Sequence, residues 1–158
     1  MPCRTSSASA HTLIQSPASL RMGEHNDCAV IALAVASDLP YDDCHAFWEL
    51  HGRQRGHGTY TYRTMPSAIE DFPELGFRAT KVAGFAPSAG RSATLDSTSA
   101  WTARGASLRS FCRRFPSGRY LVCVARHALA IVDGVICDHD ARTKDLRRVR
   151  NAWKIEAL

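Results

Sequence analysis

The longest apolar run in the chain extends from Cys28 to Ala36, and two short polar residues, Asn26 and Asp27, come directly before it. A short side-chain oxygen in this position accepts a hydrogen bond from a free N–H group in the first turn of a helix. The pattern therefore predicts a helix over Cys28–Ser37 with Asn26 or Asp27 as its cap. Because apolar residues occur on nearly every side of this helix, we expect it to be buried at the centre of the fold.

The rest of the pattern places helices first and strands later. Further helices are predicted at residues 41–52, 64–72 and 106–115, with a glycine-rich loop at 53–59 and a long loop at 86–99. Strands are predicted at residues 78–85, 120–125, 127–132, 135–138 and 149–155. This order is typical of an α+β domain in which N-terminal helices, the central one among them, pack on a C-terminal antiparallel sheet.

Asp133 and Gly134 form a strong two-residue turn signal between two apolar runs, which predicts a hairpin. Residues that pair directly across a hairpin share a face of the sheet, and side chains alternate along each strand. This register places His127, Asp138 and Asp140 on the same face. Either carboxylate can therefore accept a hydrogen bond from the imidazole, fix its tautomer and stabilise its charged form.

Cys28 would begin the buried helix, where the positive end of the helix dipole and the unpaired N–H groups stabilise a thiolate. A thiolate is a strong nucleophile, and His127 would serve as its base, which suits acyl transfer through a thioester. The backbone N–H of Cys28 could stabilise the oxyanion that forms. The alternatives are a buried core cysteine and a strand-edge histidine whose hydrogen bonds are satisfied.

The segment His-Asn-Asp-Cys-Ala-Val at the start of a helix, followed by His-Ala-Leu-Ala-Ile-Val-Asp-Gly-Val-Ile-Cys-Asp in a late hairpin, resembles the papain-like cysteine peptidases. The resemblance is closest to compact bacterial and phage proteins related to the peptidases that trim double-glycine leaders. It implies a papain-like domain over residues 22–158, with Cys28 as nucleophile, His127 as general base and acid, and Asp138 as the orienting third member. Asp140 stays open as the alternative third member. The implied reaction is hydrolysis of a peptide or isopeptide bond in a protein or peptide substrate, without a cofactor.

One position departs from the family pattern, in which a Gln shortly before the nucleophile completes the oxyanion hole. Met22 occupies that position, and the nearest upstream Gln is Gln15. Asn26 is the candidate that could donate its amide instead. The alternatives to a peptidase are therefore a catalytically weak or inactive papain-like binding module and an acyltransferase that uses the same Cys-His site.

Composition restricts the setting of this chemistry. The chain of 158 residues contains neither the roughly 20 consecutive apolar residues of a membrane span nor the apolar block of a secretory signal. Two of the six cysteines, Cys123 and Cys137, lie in apolar strands, so we expect reduced thiols in a cytoplasmic protein. Residues 1–21 contain no acid and are rich in Ser and Ala, which predicts a flexible N-terminal arm, with an organelle transit peptide as the alternative.

The net charge of +5 is partly concentrated near the C-terminus, at Arg142, Lys144, Arg147, Arg148 and Arg150. Such a cluster can attract an acidic partner or nucleic acid, but no aromatic residues interleave with it, which favours a solvated basic face. No Cys-x-x-Cys or His-x-x-x-His pair occurs among the seven histidines and six cysteines. The spacing therefore predicts no metal site.

Overall fold

The computed structural model of the chain describes residues 11–14, 17–59, 64–82, 106–140 and 142–158. Within these ranges the helices are α1 (Pro17–Met22), α2 (Cys28–Ser37), α3 (Tyr41–Leu50), α4 (Thr64–Ala68), a 3₁₀ helix (Ile69–Leu75) and α5 (Leu108–Arg114). The strands are β1 (His11–Leu13), β2 (Phe77–Lys81), β3 (Arg119–Val124), β4 (His127–Val132), β5 (Val135–Asp138) and β6 (Val149–Ala157). The α+β class predicted from the sequence is confirmed.

Helix α2 lies at the centre of the fold. Its residues Ala29, Val30, Leu33 and Ala36 are buried, and the helix packs against β3, β4, β5 and β6 as well as against α3. The indole N–H of Trp48 in α3 donates to the carbonyl of Ala29 at 3.2 Å. A helix that is apolar all round must be covered on every side, and the predicted buried central helix is confirmed with the predicted bounds.

The start of α2 differs from the prediction. Asp27 is the residue before the helix, but its side chain makes no capping hydrogen bond. Its carboxylate accepts instead from the hydroxyls of Ser19 at 2.5 Å and Tyr41 at 2.7 Å. The side-chain amide of Asn26 donates to the carbonyl of Gly56 at 3.2 Å. The predicted side-chain cap is therefore wrong, because tertiary contacts use both polar side chains.

The six described strands form one sheet in the order β1-β5-β4-β3-β6-β2. Every neighbouring pair is antiparallel except β1 and β5, which run parallel. The sheet is therefore mixed, and the predicted antiparallel arrangement holds for β2 to β6 but not for β1. Both edge strands, β1 and β2, precede β3 in the chain.

Strand β1 lies in the segment that was expected to be a flexible arm. His11–Leu13 pair with residues 136–138 of β5, and the N–H of Ile14 donates to the carbonyl of Asp138 at 2.7 Å. The segment predicted as an arm thus contains β1 and most of α1, while residues 1–10, 15 and 16 lie outside the described ranges. All three residues of β1 are exposed, so this strand is held by backbone hydrogen bonds to the edge of the sheet. Such a strand has no hydrophobic pattern in its sequence.

Both faces of the sheet are covered, which explains the unbroken apolar sequences of β3 and β4. On one face, Leu121 and Cys123 pack in the core formed with α2 and α3. On the other face, Val122 packs with Leu108 and Phe111 of α5. The ends of β4 and β5 therefore project from a sheet that is held rigidly on both sides.

Some elements have different bounds from those predicted. The predicted helix at residues 64–72 is α4 followed by the 3₁₀ helix, which contains Pro73. Proline lacks the N–H that an α-helix needs in its interior, which accounts for the change of helix type. The strand predicted at residues 78–85 is β2, and the loop predicted at 86–99 lies outside the described residues.

The hairpin of β4 and β5 has the predicted register, with Val132 opposite Val135. Asp133 and Gly134 both have positive φ, 48° and 75°, as a two-residue type I′ turn requires. The turn sets which residues lie at the other end of the hairpin, namely His127 and Asp138.

We expect Gly134→Ala to lower the free energy of unfolding by about 1–2 kcal/mol, because an L side chain is strained in the left-handed region. The new Cβ would also lie 3.4 Å from the carbonyl oxygen of Cys112 and from Cα of Pro116. Urea denaturation measures the loss. Gly134→Asn is the matched control, since Asn keeps the Cβ but tolerates this backbone conformation. An unchanged stability in Gly134→Ala would contradict the turn.

Three further expectations concern the surface and the thiols. The described cysteines, Cys28, Cys44, Cys112, Cys123 and Cys137, are all free. No helix in the described part of the chain has the length and apolar character needed to cross a bilayer. In the basic C-terminal cluster, Arg142 forms an ion pair with Asp140 at 2.9 Å, and Arg147 donates to the carbonyl of Ala125. Part of this cluster is therefore used within the fold.

Candidate active site

His127 and Asp138 lie at the open end of the hairpin, as the first residue of β4 and the last residue of β5. The Nε2 atom of His127 is 2.9 Å from Oδ1 and 2.8 Å from Oδ2 of Asp138. Asp138 is 1% exposed and His127 is 8% exposed, so water competes little for this hydrogen bond. The structure thus brings the predicted histidine together with the preferred carboxylate.

The Cys28 thiol is among the groups that raise the pKa of the His127 imidazole, so the sulfur lies close enough to interact with the ring. It is the first residue of α2, and α2 packs directly on β4. Because Nε2 of the ring faces Asp138, Nδ1 is the nitrogen left for the sulfur. The thiol is half-buried rather than sealed in the core. The three predicted residues therefore form one continuous series, Cys28–His127–Asp138.

The electrostatics of this series favour charge on the ring. Burial works to lower the pKa of His127, but hydrogen bonds with Asp138 and Cys28 outweigh it and raise the pKa from 6.5 to about 9. Burial also works to raise the pKa of Asp138, yet the hydrogen bond from His127 helps to hold it well below its usual range. At neutral pH the pair is therefore an imidazolium and a carboxylate, and an imidazolium beside a sulfur stabilises the thiolate.

We expect the free energy of unfolding to fall as the pH rises from about 6.5 to about 9. The pKa of His127 is higher in the folded protein, so between these values the folded state holds a proton that the unfolded state has lost. The stabilisation is complete below pH 6.5 and amounts to about 3 kcal/mol. Urea denaturation of wild type and His127→Gln at both ends of this range measures it. Identical pH dependences of the two proteins would contradict the ion pair.

Asp140, the alternative third member, has other partners. Its carboxylate accepts from the guanidinium of Arg142 at 2.9 and 3.1 Å, and Arg142 lowers the pKa of Asp140 to about 2. The backbone N–H of Asp140 donates to Oδ1 of Asp138 at 3.2 Å. Asp140 therefore supports Asp138, and the geometry favours Asp138 as the partner of the ring.

His139 was not singled out from the sequence. Its Nδ1 lies 3.4 Å from Oδ1 of Asp138, and its ring centroid is 5.4 Å from that of His127. His127, Asp138 and His139 each offer one ligand atom, and these three atoms lie within 4.8 Å of one another. Two imidazoles and a carboxylate are a donor set that suits zinc. The sequence spacing predicted no metal site here, because the side chains of neighbouring residues in a strand point to opposite faces. The chain bends at His139, which follows the end of β5. A cation would have to displace the hydrogen bond between His127 and Asp138.

A second buried charged cluster, also missed from the sequence, fixes the segment before Cys28. The carboxylate of Glu24 accepts from Arg53 at 3.0 and 3.3 Å, from the N–H of Gly56 at 3.0 Å, and lies 2.7 Å from Nε2 of His45. The side chains of Glu24 and Arg53 are 0% exposed. Burial works to raise the pKa of Glu24, but its donors outweigh it and lower the pKa to about 2. No spacing signal links these residues, which lie on separate elements.

The loop at residues 53–59 contacts the segment at residues 22–26, which contains Asn26, the candidate oxyanion donor. Asn26 uses one N–H of its amide on Gly56, which leaves the second N–H of the amide. The carbonyl of Met22 accepts from Arg55. The N–H of Cys28 is in the first turn of α2 and has no acceptor within the helix. The role of Asn26 as an oxyanion donor stays a prediction.

Comparison of the chain with protein-family models, curated proteins and solved structures finds no match. Membership of the papain-like superfamily therefore stays a prediction that rests on the residues and on the geometry of this site.

Proposed function

We propose that the chain is a papain-like cysteine hydrolase that cleaves a peptide or isopeptide bond through a thioester at Cys28. One observation carries this proposal: the His127 imidazole is hydrogen-bonded to the Asp138 carboxylate, and the Cys28 thiol is among the groups that raise the pKa of the same ring. A nucleophile, a base and an orienting carboxylate in series are what covalent acyl transfer requires. Helix α2 carries the thiol and packs on β4 and β5, which carry the imidazole and the carboxylate. This arrangement supports the papain-like hypothesis.

In the proposed reaction the sulfur of Cys28 attacks the substrate carbonyl carbon, and the carbonyl electron pair moves to the oxygen. The N–H of Cys28 and the free amide N–H of Asn26 are the candidate donors to this oxyanion. His127 gives its Nδ1 proton to the leaving nitrogen as the C–N bond breaks, which leaves a thioester. Water then attacks the thioester with its proton passing to His127, and the carboxylic acid and Cys28 are released. Asp138 keeps the ring oriented and stabilises its charged form throughout.

Acylation by p-nitrophenyl acetate tests this proposal without a natural substrate. We expect a burst of one equivalent of p-nitrophenolate, and an acetyl group on Cys28 in the mass spectrum. Cys28→Ala should give no burst, whereas Cys112→Ala should retain it, because Cys112 is buried on the opposite face of the sheet. Acetyl groups spread evenly over the cysteines would contradict an activated Cys28.

Two other functions of the same site give different results in this assay. The replacement of the usual Gln by Met22, and the engagement of Asn26 by Gly56, favour a binding module with weak or no turnover. Such a module would give an acetyl-Cys28 that persists for hours. An acyltransferase would pass the acetyl group to added glycinamide in preference to water, and the amide product would identify it.

A further inference from the structure

A cavity of about 430 Å³ lies beside the segment that leads to the nucleophile. Its lining includes the side chains of Gln54, His57, Thr59 and Thr64, and two glycines, Gly52 and Gly58, leave room at its wall. No carboxylate belongs to the described lining, and all four of these side chains can donate a hydrogen bond. The described lining can therefore donate hydrogen bonds to an acceptor group in the cavity.

The loop that forms the cavity touches the residues just before Cys28. The amide of Asn26 donates to Gly56, and a Cβ added at Gly58 would lie 3.9 Å from the carbonyl oxygen of Asn26. A Cβ added at Gly56 would lie 3.6 Å from the ring of His25. Asn26 is two residues from Cys28, and consecutive Cα atoms are about 3.8 Å apart. The cavity is thus within reach of a substrate residue one or two positions from the carbonyl that Cys28 attacks.

The contacts of the cavity loop bear on which half of a substrate would meet the cavity. In the proposed reaction His127 protonates the leaving amine, so the leaving half of the substrate must pass the imidazole. The cavity loop contacts residues 22–26, and its described hydrogen bonds go to that segment and to α3 rather than to β4 or β5. The acyl half of a substrate is therefore the part that meets the cavity.

Two polar atoms of the cavity-lining residues are buried without a hydrogen-bond partner among the described residues. They are Nε of Arg53, whose side chain is 0% exposed, and Oγ1 of Thr59. A buried polar atom without a partner is destabilising. Both atoms belong to residues of the lining, so an acceptor group bound in the cavity is a candidate partner for them.

The charges around the cavity favour an anionic acceptor. The Glu24 carboxylate behind the loop is already enclosed by Arg53, His45 and the N–H of Gly56. The exposed side chains on the loop, by contrast, include Arg55 and His57. A ligand carboxylate in the cavity would therefore meet N–H and O–H donors, with positive charge on the same loop.

We propose that this cavity recognises the acidic side chain, Asp or Glu, of a substrate residue within two positions on the acyl side of the cleaved bond. The inference deepens the proposed function and rests on it. It defines the substrate class as peptides or proteins that carry an acidic residue next to the scissile carbonyl.

Acetyl dipeptides that end in a vinyl sulfone test this specificity, because the thiol adds to the double bond and no turnover is needed. Glu, Gln or Ala is placed in either of the two positions, with Gly in the other. We expect the Glu compound to label Cys28 about tenfold faster than the Ala compound in one of the positions, with Gln in between. Equal rates for Glu and Gln, or for Glu and Ala, in both positions would overturn the proposal.

Thr59→Val and Gln54→Met should each lower the ratio of the Glu rate to the Ala rate several-fold, since each removes a donor while keeping the volume of the side chain. Thr80→Val is the matched control, because Thr80 is exposed on β2 at the far edge of the sheet. It should leave the ratio unchanged, and an equal fall in this control would overturn the proposal. The ratio is measurable however fast Cys28 reacts. Slow labelling of Cys28 by iodoacetamide would therefore contradict the proposed function. Equal labelling rates for the Glu and Ala compounds would instead contradict the proposed role of the cavity.

Discussion

Replacement of His127 by Ala is expected to slow the acylation of Cys28 by p-nitrophenyl acetate by about 10²- to 10⁴-fold, the range typical of general acid–base catalysis. In the wild-type protein the imidazole is hydrogen-bonded to Asp138 and interacts with Cys28, which raises its pKa. Without it, the thiol has neither a proton acceptor nor a neighbouring positive charge. The burst phase, followed by stopped-flow absorbance, gives the rate.

His11→Ala is the matched control for this experiment. His11 is exposed on β1 and pairs with β5 through its backbone, so the loss of its ring should leave the burst rate unchanged. Asp138→Asn should also slow the burst, because the amide removes the charge that orients and stabilises the charged ring. A burst rate in His127→Ala within twofold of wild type would exclude His127 as the base.

Glu24→Ala is expected to lower the free energy of unfolding by about 3–5 kcal/mol, the cost of removing one partner from a buried ion pair. The substitution leaves the guanidinium of Arg53 buried at 0% exposure without its carboxylate. It also removes the acceptor of His45 and of the Gly56 N–H. Urea denaturation at pH 7 measures the loss.

Two comparisons separate the buried pair from ordinary truncation. Glu49→Ala removes a half-exposed carboxylate that lies 3.6 Å from the other nitrogen of His45, so it should cost less than about 1 kcal/mol. The double variant Glu24→Leu/Arg53→Leu should recover part of the loss, because neither charge is then left alone. A loss in Glu24→Ala no larger than that in Glu49→Ala would contradict the role of the cluster.

The same cluster should make the free energy of unfolding fall as the pH is lowered. The pKa of Glu24 is about 2 in the folded protein against 4.5 ordinarily. Its contribution is therefore present above pH 4.5 and is lost as the pH falls toward 2, because the unfolded chain binds the proton first. Wild type should lose stability more steeply than the Glu24→Leu/Arg53→Leu variant over this range.

The parts of the fold that local sequence specifies were predicted with their register. Helix α2 follows from an unbroken apolar run, and the hairpin follows from Asp133 and Gly134, whose positive φ angles only a few residues tolerate. The register of the hairpin then places His127 and Asp138 on one face, which is why two of the three site residues could be linked before the structure was known.

The remaining features depend on contacts between distant residues. β1 is a short exposed strand held by backbone hydrogen bonds to β5, and no side-chain pattern marks such a strand. Charged residues such as Glu24 and Arg53 are normally expected at the surface. They are buried with His45 only because the loop at residues 53–59 packs on α3. The cap at Asn26 and Asp27 failed for the same reason, since partners as distant as Tyr41 and Gly56 take their side chains.

The central claim is that Cys28 and His127 share a proton, and the rate of Cys28 alkylation by iodoacetamide as a function of pH tests it most directly. We predict that Cys28 in wild type reacts at pH 6 about 10²-fold faster than the other cysteines, at a rate close to its rate at pH 9. In His127→Ala this reactivity at pH 6 should disappear, and alkylation should rise only near the ordinary thiol range of about 8.5. The same pH profile for Cys28 in both proteins would contradict the account.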